Sequence, residues 1–196
     1  MCREPIMAVM ERPSQFIECG GLVLRRWRPQ DDFAPAFRLI EESVDHLRPW
    51  MGWVARHGEE TTRDFLAKAE SKWAADEAYN YAIAEGGTLV GMCQTYRVEA
   101  PARWRMGYWL HPAATGRGIA TRATAALVAE MFALPGVEYV EITHDLANTA
   151  SARVPRRLGF TEIGHERTLP ETPSLVGVDV VWRLDRPGTP NGTTDR

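Results

Sequence analysis

Residues 107–121 read GYWLHPAATGRGIAT. The pattern predicts a strand, a turn at Pro112, a glycine-rich bend and then a long amphipathic helix. A helix that is entered through closely spaced glycines offers free backbone N–H groups and the positive end of its dipole, which together suit a pyrophosphate. The spacing is neither that of a nucleotide-hydrolysing P-loop nor Gly-x-Gly-x-x-Gly, because Thr121 stands where a third glycine would be. On these residues alone, a strand–helix corner that binds nothing is an equal alternative.

The composition limits the class of protein. The chain has 196 residues, enough for one well-buried domain, and a formal net charge of -3, which gives no case for a nucleic-acid partner. Cys2, Cys19 and Cys93 are too few and too widely spaced for a disulfide framework or a zinc site. No segment approaches the ~20 consecutive apolar residues of a membrane span. We therefore expect a cytoplasmic protein without signal peptide, metal ion or membrane contact.

The distribution of polar and apolar residues predicts the domain organisation. One folded domain, residues 21–184, is expected between a flexible leader, residues 1–20, and a disordered tail, residues 185–196. Strands and helices follow one another in a mixed order along the domain. This order favours a three-layer α/β or α+β fold around a mixed sheet.

Further motifs accompany the bend in a fixed order. They are Glu141-Ile142, Asp145, Asn148, Ser151 and Leu158-Gly-Phe160, and an aromatic loop at residues 48–53 precedes them. Together with Gly107-Tyr-Trp-Leu-x-Pro, this set resembles the GNAT superfamily of acyl-CoA-dependent N-acyltransferases. Within that superfamily it resembles the RimJ/RimL type, which modifies ribosomal-protein N-termini and, in relatives, small amines. The resemblance covers about residues 21–184.

The resemblance implies a fold and a cofactor site. The fold would be a mixed, mostly antiparallel sheet of seven strands flanked by helices. Its fourth and fifth strands, about residues 103–110 and 139–144, would be parallel and splay apart. Acetyl-CoA would lie with its pantetheine arm in this gap and its pyrophosphate on the bend. The implied contacts are Trp109, Leu110, Thr115, Gly116, Arg117, Gly118, Ile119, Ala120, Thr121, Asn148 and Ser151.

Three departures from the family pattern bear on the chemistry. Thr115 takes the first position of the bend, where relatives carry a long side chain, so Arg117 or Arg122 would have to supply charge to the phosphates. Arg105 takes the place of a carboxylate that many relatives use as the base, which excludes a base there. No tyrosine follows Tyr139, so the tyrosine acid of several relatives is absent from the corresponding helix.

Catalytic candidates come from the residues around and after the gap. The resemblance implies that the Leu110 N–H polarises the thioester carbonyl and that Ser151 donates to the leaving thiolate, with an ordinary first-turn helix residue as the alternative for Ser151. Pro155 lacks an N–H for the Ser151 carbonyl, which would leave that carbonyl free for water or cofactor. His144, whose ordinary pKa is near 6.5, is one candidate base, and the resemblance implies Glu171, before the last strand, as another. For His144 the alternative is a structural role in capping a turn, and water suffices as a base if the acceptor is an α-amino group with a pKa of about 8.

An acceptor pocket is predicted from aromatic residues. It would comprise Trp50, Trp53, Tyr81 and Tyr96, for which a place in the hydrophobic core is the alternative. The resulting hypothesis is an N-acetyltransferase that moves an acetyl group from acetyl-CoA to a primary amine, either a protein N-terminus or a small molecule. The alternatives are a catalytically silent acyl-CoA-binding module, a larger donor such as succinyl-CoA, and a structural α/β domain that binds nothing. The resemblance also favours a monomer or a homodimer.

Overall fold

The computed structural model describes residues 12–99 and 103–188. Within these ranges the chain forms eight strands and five α-helices. The strands are β1 (Phe16–Cys19), β2 (Leu22–Arg26), β3 (Ala78–Glu85), β4 (Thr88–Glu99), β5 (Arg103–Leu110), β6 (Tyr139–Asp145), β7 (Thr161–Arg167) and β8 (Val178–Asp185). The α-helices are α1 (Pro29–Glu41), α2 (Val44–Leu47), α3 (Glu59–Ala74), α4 (Ile119–Ala133) and α5 (Thr149–Arg157), and short 3-10 segments occupy Gly52–Arg56 and Pro112–Ala114. The predicted leader up to residue 11 and the predicted tail from residue 189 lie outside the described residues.

The strands of the described chain belong to one sheet, ordered β1-β2-β3-β4-β5-β6-β8-β7. Neighbouring strands are antiparallel except β5 and β6, which run parallel. A parallel pair needs a crossover connection, and α4 supplies it. The predicted α+β fold with a mixed, mostly antiparallel sheet is confirmed. None of the helices in the described part of the chain combines the length and apolarity that crossing a membrane requires.

The first strand corrects two predictions. β1 lies inside the predicted leader, pairs with β2 along its whole length, and raises the number of strands from the expected seven to eight. Gly20 and Gly21 make the turn, and their φ angles of 55° and 82° are the positive values that a two-residue turn between antiparallel strands requires. Ile17 and Cys19 pack against the core. This part of the leader is therefore a component of the sheet.

Each face of the sheet carries its own hydrophobic core. On one face α4 and α5 cover a cluster that includes Tyr81, Met106 and Trp182. On the other face α1 and α3 cover a second cluster, which includes Leu66 and Trp109. Successive side chains of a strand point to opposite faces, so neighbours in sequence enter different cores. The sheet therefore separates the molecule into an α4/α5 face and an α1/α3 face.

The parallel pair opens along its length. β5 and β6 pair over three positions that end at Met106↔Ile142, and both strands then continue, unpaired with each other, to Leu110 and Asp145. The predicted splay of the two parallel strands is confirmed. It leaves a V-shaped gap through the sheet, which links its two faces.

Ion pairs hold the closed end of this gap. Arg105 Nε donates to Glu141 Oε2 at 3.2 Å and Arg105 Nη2 donates to Glu166 Oε1 at 2.6 Å, while Arg103 donates to the same two carboxylates. Glu141 is only 3% exposed, and the two guanidinium groups compensate for the burial of its charge. The hydrogen bond from Arg105 is the main cause that lowers the pKa of Glu166. Arg105, which replaces the family's carboxylate, thus belongs to a structural network.

Candidate active site

The edge of β5 presents free backbone groups to the gap. The His111 N–H donates to the Val90 carbonyl of β4 at 2.9 Å, and backbone groups of successive strand residues point to alternate sides. The N–H of Leu110 and of Tyr108 is therefore turned away from β4, towards the side on which β6 has splayed away. This geometry supports the prediction that the Leu110 N–H faces the reacting carbonyl.

The glycine-rich bend has the backbone conformation expected of an anion site. Gly116 and Gly118 both have φ of 72°, and Gly118 is the residue from which α4 begins. The first i to i-4 hydrogen bond of this helix runs from the Arg122 N–H to the Gly118 carbonyl at 3.0 Å, so the amides of residues 119–121 precede it. Thr115 is exposed and its hydroxyl donates to the Pro112 carbonyl at 2.8 Å. Its side chain therefore stabilises the turn that precedes the bend.

The two arginines of the bend differ in their partners. Arg117 is exposed and its Nη2 donates to Glu85 Oε2 at 2.7 Å. Arg122 lies against the bend, and its Nη1 donates to the Arg117 carbonyl at 3.0 Å. Arg122 Nε is buried without a hydrogen-bond partner within the described ranges. The side chain with unused donor capacity at the bend is therefore Arg122.

A cleft of about 1320 Å³ opens on the α1/α3 face and reaches the gap. Its wall at the gap is formed by Tyr108, Thr143, Asn148 and Ser151. The rest of its lining combines aromatic and acidic side chains from separate segments, namely Trp50, Trp53, Tyr96, Trp109, Glu171 and Asp179. Residues 115–121 do not line it. The bend and the cleft thus lie on different sides of the sheet and are connected through the gap.

One of the predicted acceptor tyrosines lies elsewhere. Tyr81 is 0% exposed, belongs to the core of the α4/α5 face and donates its phenol proton to the Ser14 carbonyl at 2.7 Å. Its predicted place in the acceptor pocket is wrong, because the alternation along β3 turns Asn80 to the cleft and Tyr81 away from it. Tyr96 does line the cleft, and burial raises the pKa of its phenol.

The aromatic loop and the segment before β8 form one wall. Trp53 lies in a 3-10 segment, and its ring centroid is 6.2 Å from that of Trp109 on β5. Thr172 Oγ1 donates to the Pro49 carbonyl at 2.6 Å, which ties the segment before β8 to the loop. A Cβ on Gly52 would lie 2.6 Å from Glu171 Cβ, so only glycine lets Glu171 approach this closely. Glu171 consequently lines the cleft, as its predicted role requires.

His144 has no free ring nitrogen. Its Nε2 accepts from Trp182 Nε1 at 2.9 Å, and because an indole N–H can only donate, Nε2 must be unprotonated. Its Nδ1 lies 2.9 Å from the Asp145 carbonyl and therefore carries the proton. With both nitrogens bonded and the side chain 8% exposed, His144 is unsuited to the predicted role of base. These bonds fit the alternative given for His144, a structural role.

Ser151 meets a residue that the sequence analysis did not select. Asn148 caps α5, as the motif predicts for a helix start, because its Oδ1 accepts the Ser151 N–H at 3.1 Å. Across the gap, the Tyr108 hydroxyl lies 3.1 Å from Ser151 Oγ and 3.0 Å from the Ser151 carbonyl oxygen. Two signals were available: period two places Tyr108 on the face that α5 covers, and Pro155 leaves the Ser151 carbonyl without its helical donor.

Two neighbouring aspartates at the open end of the gap have opposite pKa shifts. Asp145 and Asp179 are cross-strand partners on β6 and β8. Burial acts to raise the pKa of Asp145, but backbone N–H groups outweigh it and hold the pKa below its usual value, among them those of Val176 and Gly177 at 3.0 Å. Burial raises the pKa of Asp179, and the charge of Asp145 adds to the rise. Asp179 also lines the cleft. It joins the predicted Glu171 there, and the sequence analysis did not select it.

No group of three or more His, Cys, Asp or Glu side chains in residues 12–99 and 103–188 is arranged to hold a metal ion. The groups that line the gap and the cleft are instead backbone amides, hydroxyls and the carboxylates of Asp145, Glu171 and Asp179. They can bind an anion, polarise a carbonyl and accept a proton. A reaction that uses them needs no nucleophile from the protein.

Several solved structures share this fold. The protein superposes on RimL, a ribosomal L7/L12 α-N-protein acetyltransferase in complex with coenzyme A, with a TM-score of 0.81 and 20% identity over 87% of this chain and 97% of that one. The Mycobacterium smegmatis RimJ in complex with CoA-disulfide gives a TM-score of 0.77 and 23% identity, with 90% and 88% of the two chains covered. At these identities the similarity shows the fold.

Comparison of sequences identifies relatives and the family. The chain is 33% identical over 149 residues, 74% of its length and 81% of the relative's, to YdaF of Bacillus subtilis (strain 168), whose description as a ribosomal N-acetyltransferase is provisional. It is 28% identical over 163 residues to the mycothiol acetyltransferase of Salinispora tropica; this match covers 81% of the chain and 50% of the relative, so the chain spans half of that protein. Residues 21–161 match the family model described as the acetyltransferase (GNAT) domain. Because this model covers more than half of the chain, the protein belongs to the GNAT acetyltransferase family.

Proposed function

We propose that the protein transfers an acetyl group from acetyl-CoA to a primary amine. The observation that carries this proposal is the gap between β5 and β6, which connects the amide-rich bend on the α4/α5 face with the cleft on the α1/α3 face. A donor that enters from the bend and an acceptor that enters from the cleft would meet beside Leu110 and Ser151. Neither side chain has to form a covalent bond.

The residues around the bend fit the pyrophosphate of acetyl-CoA. The free amides at the start of α4 lie at the end of the helix that favours anions, and Arg122, whose Nη1 donates to the Arg117 carbonyl of the bend, brings a positive charge beside them. Bound acetyl-CoA supplies an activated acyl group. The Leu110 N–H would polarise the acyl carbonyl, and Ser151 Oγ–H would stabilise the sulfur as it departs.

The acceptor side supplies attraction and a proton acceptor. Glu171 and Asp179 would draw an ammonium group into the cleft, and one of them takes the proton that makes the amine nucleophilic. The amine nitrogen then bonds to the acyl carbon, the carbon–sulfur bond breaks, and CoA leaves with a proton that balances the one lost by the amine. Burial raises the pKa of Asp179, which favours its uptake of a proton, while Glu171 is the more exposed of the two side chains.

The acceptor class follows from the cleft and from the relatives. Trp50, Trp53 and Tyr96 offer apolar surface beside the two carboxylates, a combination that suits an amine next to an apolar group. Among the relatives, RimL is described as acting on the N-terminus of a ribosomal protein, and the Salinispora protein as acting on mycothiol. We therefore propose either a peptide α-amino group or a small primary amine as the acceptor.

Transfer can be tested with acetyl-CoA and a set of amines. The set would contain peptides with a free N-terminus, the same peptides with a blocked N-terminus and an internal lysine, and small primary amines. Release of free thiol together with the mass of one acetyl group on the acceptor is the expected result. If acetyl-CoA raises the melting temperature but no amine gains an acetyl group, the protein is a silent acyl-CoA-binding module. If acetyl-CoA causes no shift at all, the donor site itself is refuted.

A further inference from the structure

Two hydroxyl groups meet across the gap. Tyr108 belongs to β5 and Ser151 to the first turn of α5. The phenol oxygen of Tyr108 lies within hydrogen-bond distance of two atoms of Ser151, the carbonyl oxygen at 3.0 Å and Oγ at 3.1 Å. Both residues line the cleft where it reaches the gap. The contact therefore spans the place at which donor and acceptor would meet.

A proline inside α5 determines which way this contact is polarised. In a regular helix the Ser151 carbonyl would accept from the N–H of residue 155, but Pro155 has none. A carbonyl oxygen can only accept, so the Tyr108 phenol proton is the donor that satisfies it. Burial raises the pKa of Tyr108 to about 12, against the opposing effect of its Ser151 bond, so the phenol keeps that proton at neutral pH.

The polarity fixes the role of the serine hydroxyl. A phenol has one proton, and once it is directed to the Ser151 carbonyl only oxygen lone pairs face Ser151 Oγ. Ser151 must then donate its own proton, either to the phenol oxygen or to a group in the gap. The Ser151 N–H is bonded to Asn148 Oδ1 at 3.1 Å, so backbone and side chain are both held. The serine is kept as a donor at a fixed place.

We propose that Tyr108 is a positioning residue which, together with Pro155, holds Ser151 as a hydrogen-bond donor to the leaving sulfur. When a CoA sulfur occupies the gap, Ser151 turns its proton from the phenol oxygen to the sulfur. The proton stays on the serine oxygen, and no covalent bond forms to either residue. This inference rests on the acetyl-transfer function proposed above. Tyr108 thereby orients Ser151, and Pro155 keeps the Ser151 carbonyl available to Tyr108.

The thiol pKa of bound CoA measures this arrangement directly. A donor to the thiolate lowers the thiol pKa, so the pKa should be lower in the CoA complex than in free CoA. It can be followed by the ultraviolet absorbance of the thiolate during a pH titration, with CoA alone and no acceptor. We expect Ser151→Ala and Tyr108→Phe each to raise it by about one unit, a tenfold smaller thiolate-to-thiol ratio at a given pH. Pro155→Ala should raise it less, because the N–H introduced there competes for the Ser151 carbonyl.

The matched control is Tyr96→Phe, which removes another phenol of the cleft. The described structure shows no hydrogen bond between Tyr96 and Ser151, so this variant should leave the thiol pKa of bound CoA unchanged. A purely structural Tyr108 would lower the melting temperature in Tyr108→Phe and leave the thiol pKa at its wild-type value. That result, with a raised pKa in Ser151→Ala, would overturn the positioning role and leave the proposed function standing. If Tyr108→Phe does not fold, Pro155→Ala decides, and an unchanged thiol pKa overturns the proposal. Failure of the wild-type protein to bind CoA would instead refute the proposed function.

Discussion

The two sides of the gap differ in the chemical groups that they present, backbone amides on one side and side chains on the other. On the proposed donor side, a single run of residues from Thr115 to Arg122 presents backbone amides and two arginines, Arg117 and Arg122. On the acceptor side, the cleft is assembled from side chains of β4, the aromatic loop, the segment before β8 and β8 itself. Backbone geometry should therefore govern donor binding, whereas individual side chains should govern acceptor binding and proton transfer.

The largest effect is expected where the two sides meet. Ser151→Ala removes the proposed hydrogen-bond donor to the sulfur and should lower kcat by about 10²-fold, the lower end of the loss seen when one donor to a developing anion is removed. The rise in melting temperature caused by acetyl-CoA should persist, because the bend is untouched. Ser71→Ala, on α3 and remote from the gap, is the matched control and should behave as wild type. A wild-type kcat in Ser151→Ala would remove Ser151 from the mechanism.

A backbone change should affect donor binding selectively. Gly118 and Gly136 flank α4 with φ of 72° and 75°, a conformation that costs an alanine about 1–2 kcal/mol. Both Gly118→Ala and Gly136→Ala should therefore lower the melting temperature of the free protein. Only Gly118→Ala should also weaken acetyl-CoA binding, by about tenfold, because it alone displaces the amides at the start of the helix. Calorimetric titration of the two variants with acetyl-CoA measures this difference. Equal affinities of the two variants would show that the bend does not bind the donor.

The arginines of the bend should differ although they are close in sequence. Arg122→Gln should raise the Kd for acetyl-CoA about fivefold, since it removes the positive charge that lies against the bend. Arg117→Gln should leave the Kd nearly unchanged, since that side chain is exposed and already pairs with Glu85. Parallel titrations at low and moderate salt would show the contrast. An equal loss in both variants would mean that overall charge, and not the position of Arg122, determines binding.

The smallest effects distinguish the two aspartates on the acceptor side. The folded-state pKa of Asp145 is lowered, so its stabilising effect is present above the unfolded pKa of about 3.9 and is lost as the pH falls through the folded value. Asp145→Asn should cost about 0.5–1 kcal/mol at pH 7, because the amide retains one acceptor oxygen. The pKa of Asp179 is raised, so it destabilises the fold at neutral pH, and Asp179→Asn should raise the melting temperature there. Thermal unfolding from pH 3 to 7 tests both signs, and each difference should shrink towards pH 3.

The sequence predicts features that depend on neighbouring residues better than features that depend on tertiary packing. The bend and the Asn148 cap depend on local residues and their order, whereas the splayed parallel strands were implied by the family resemblance; all three agree with the structure. Tyr81 was assigned to the wrong face because the aromatic run in β3 does not show which of its alternate positions meets the cleft. Tyr108 is separated by 43 residues from its partner Ser151, and only tertiary packing brings them together.

We propose that acetyl-CoA passes through the gap and meets the acceptor beside Ser151. A crystal structure of the CoA complex measures this most directly. We predict that the pyrophosphate lies on the amides at the start of α4, that the pantetheine arm lies between β5 and β6, and that the sulfur is within hydrogen-bond distance of Ser151 Oγ. A CoA molecule bound outside the gap, or with its sulfur remote from Ser151, would contradict the account.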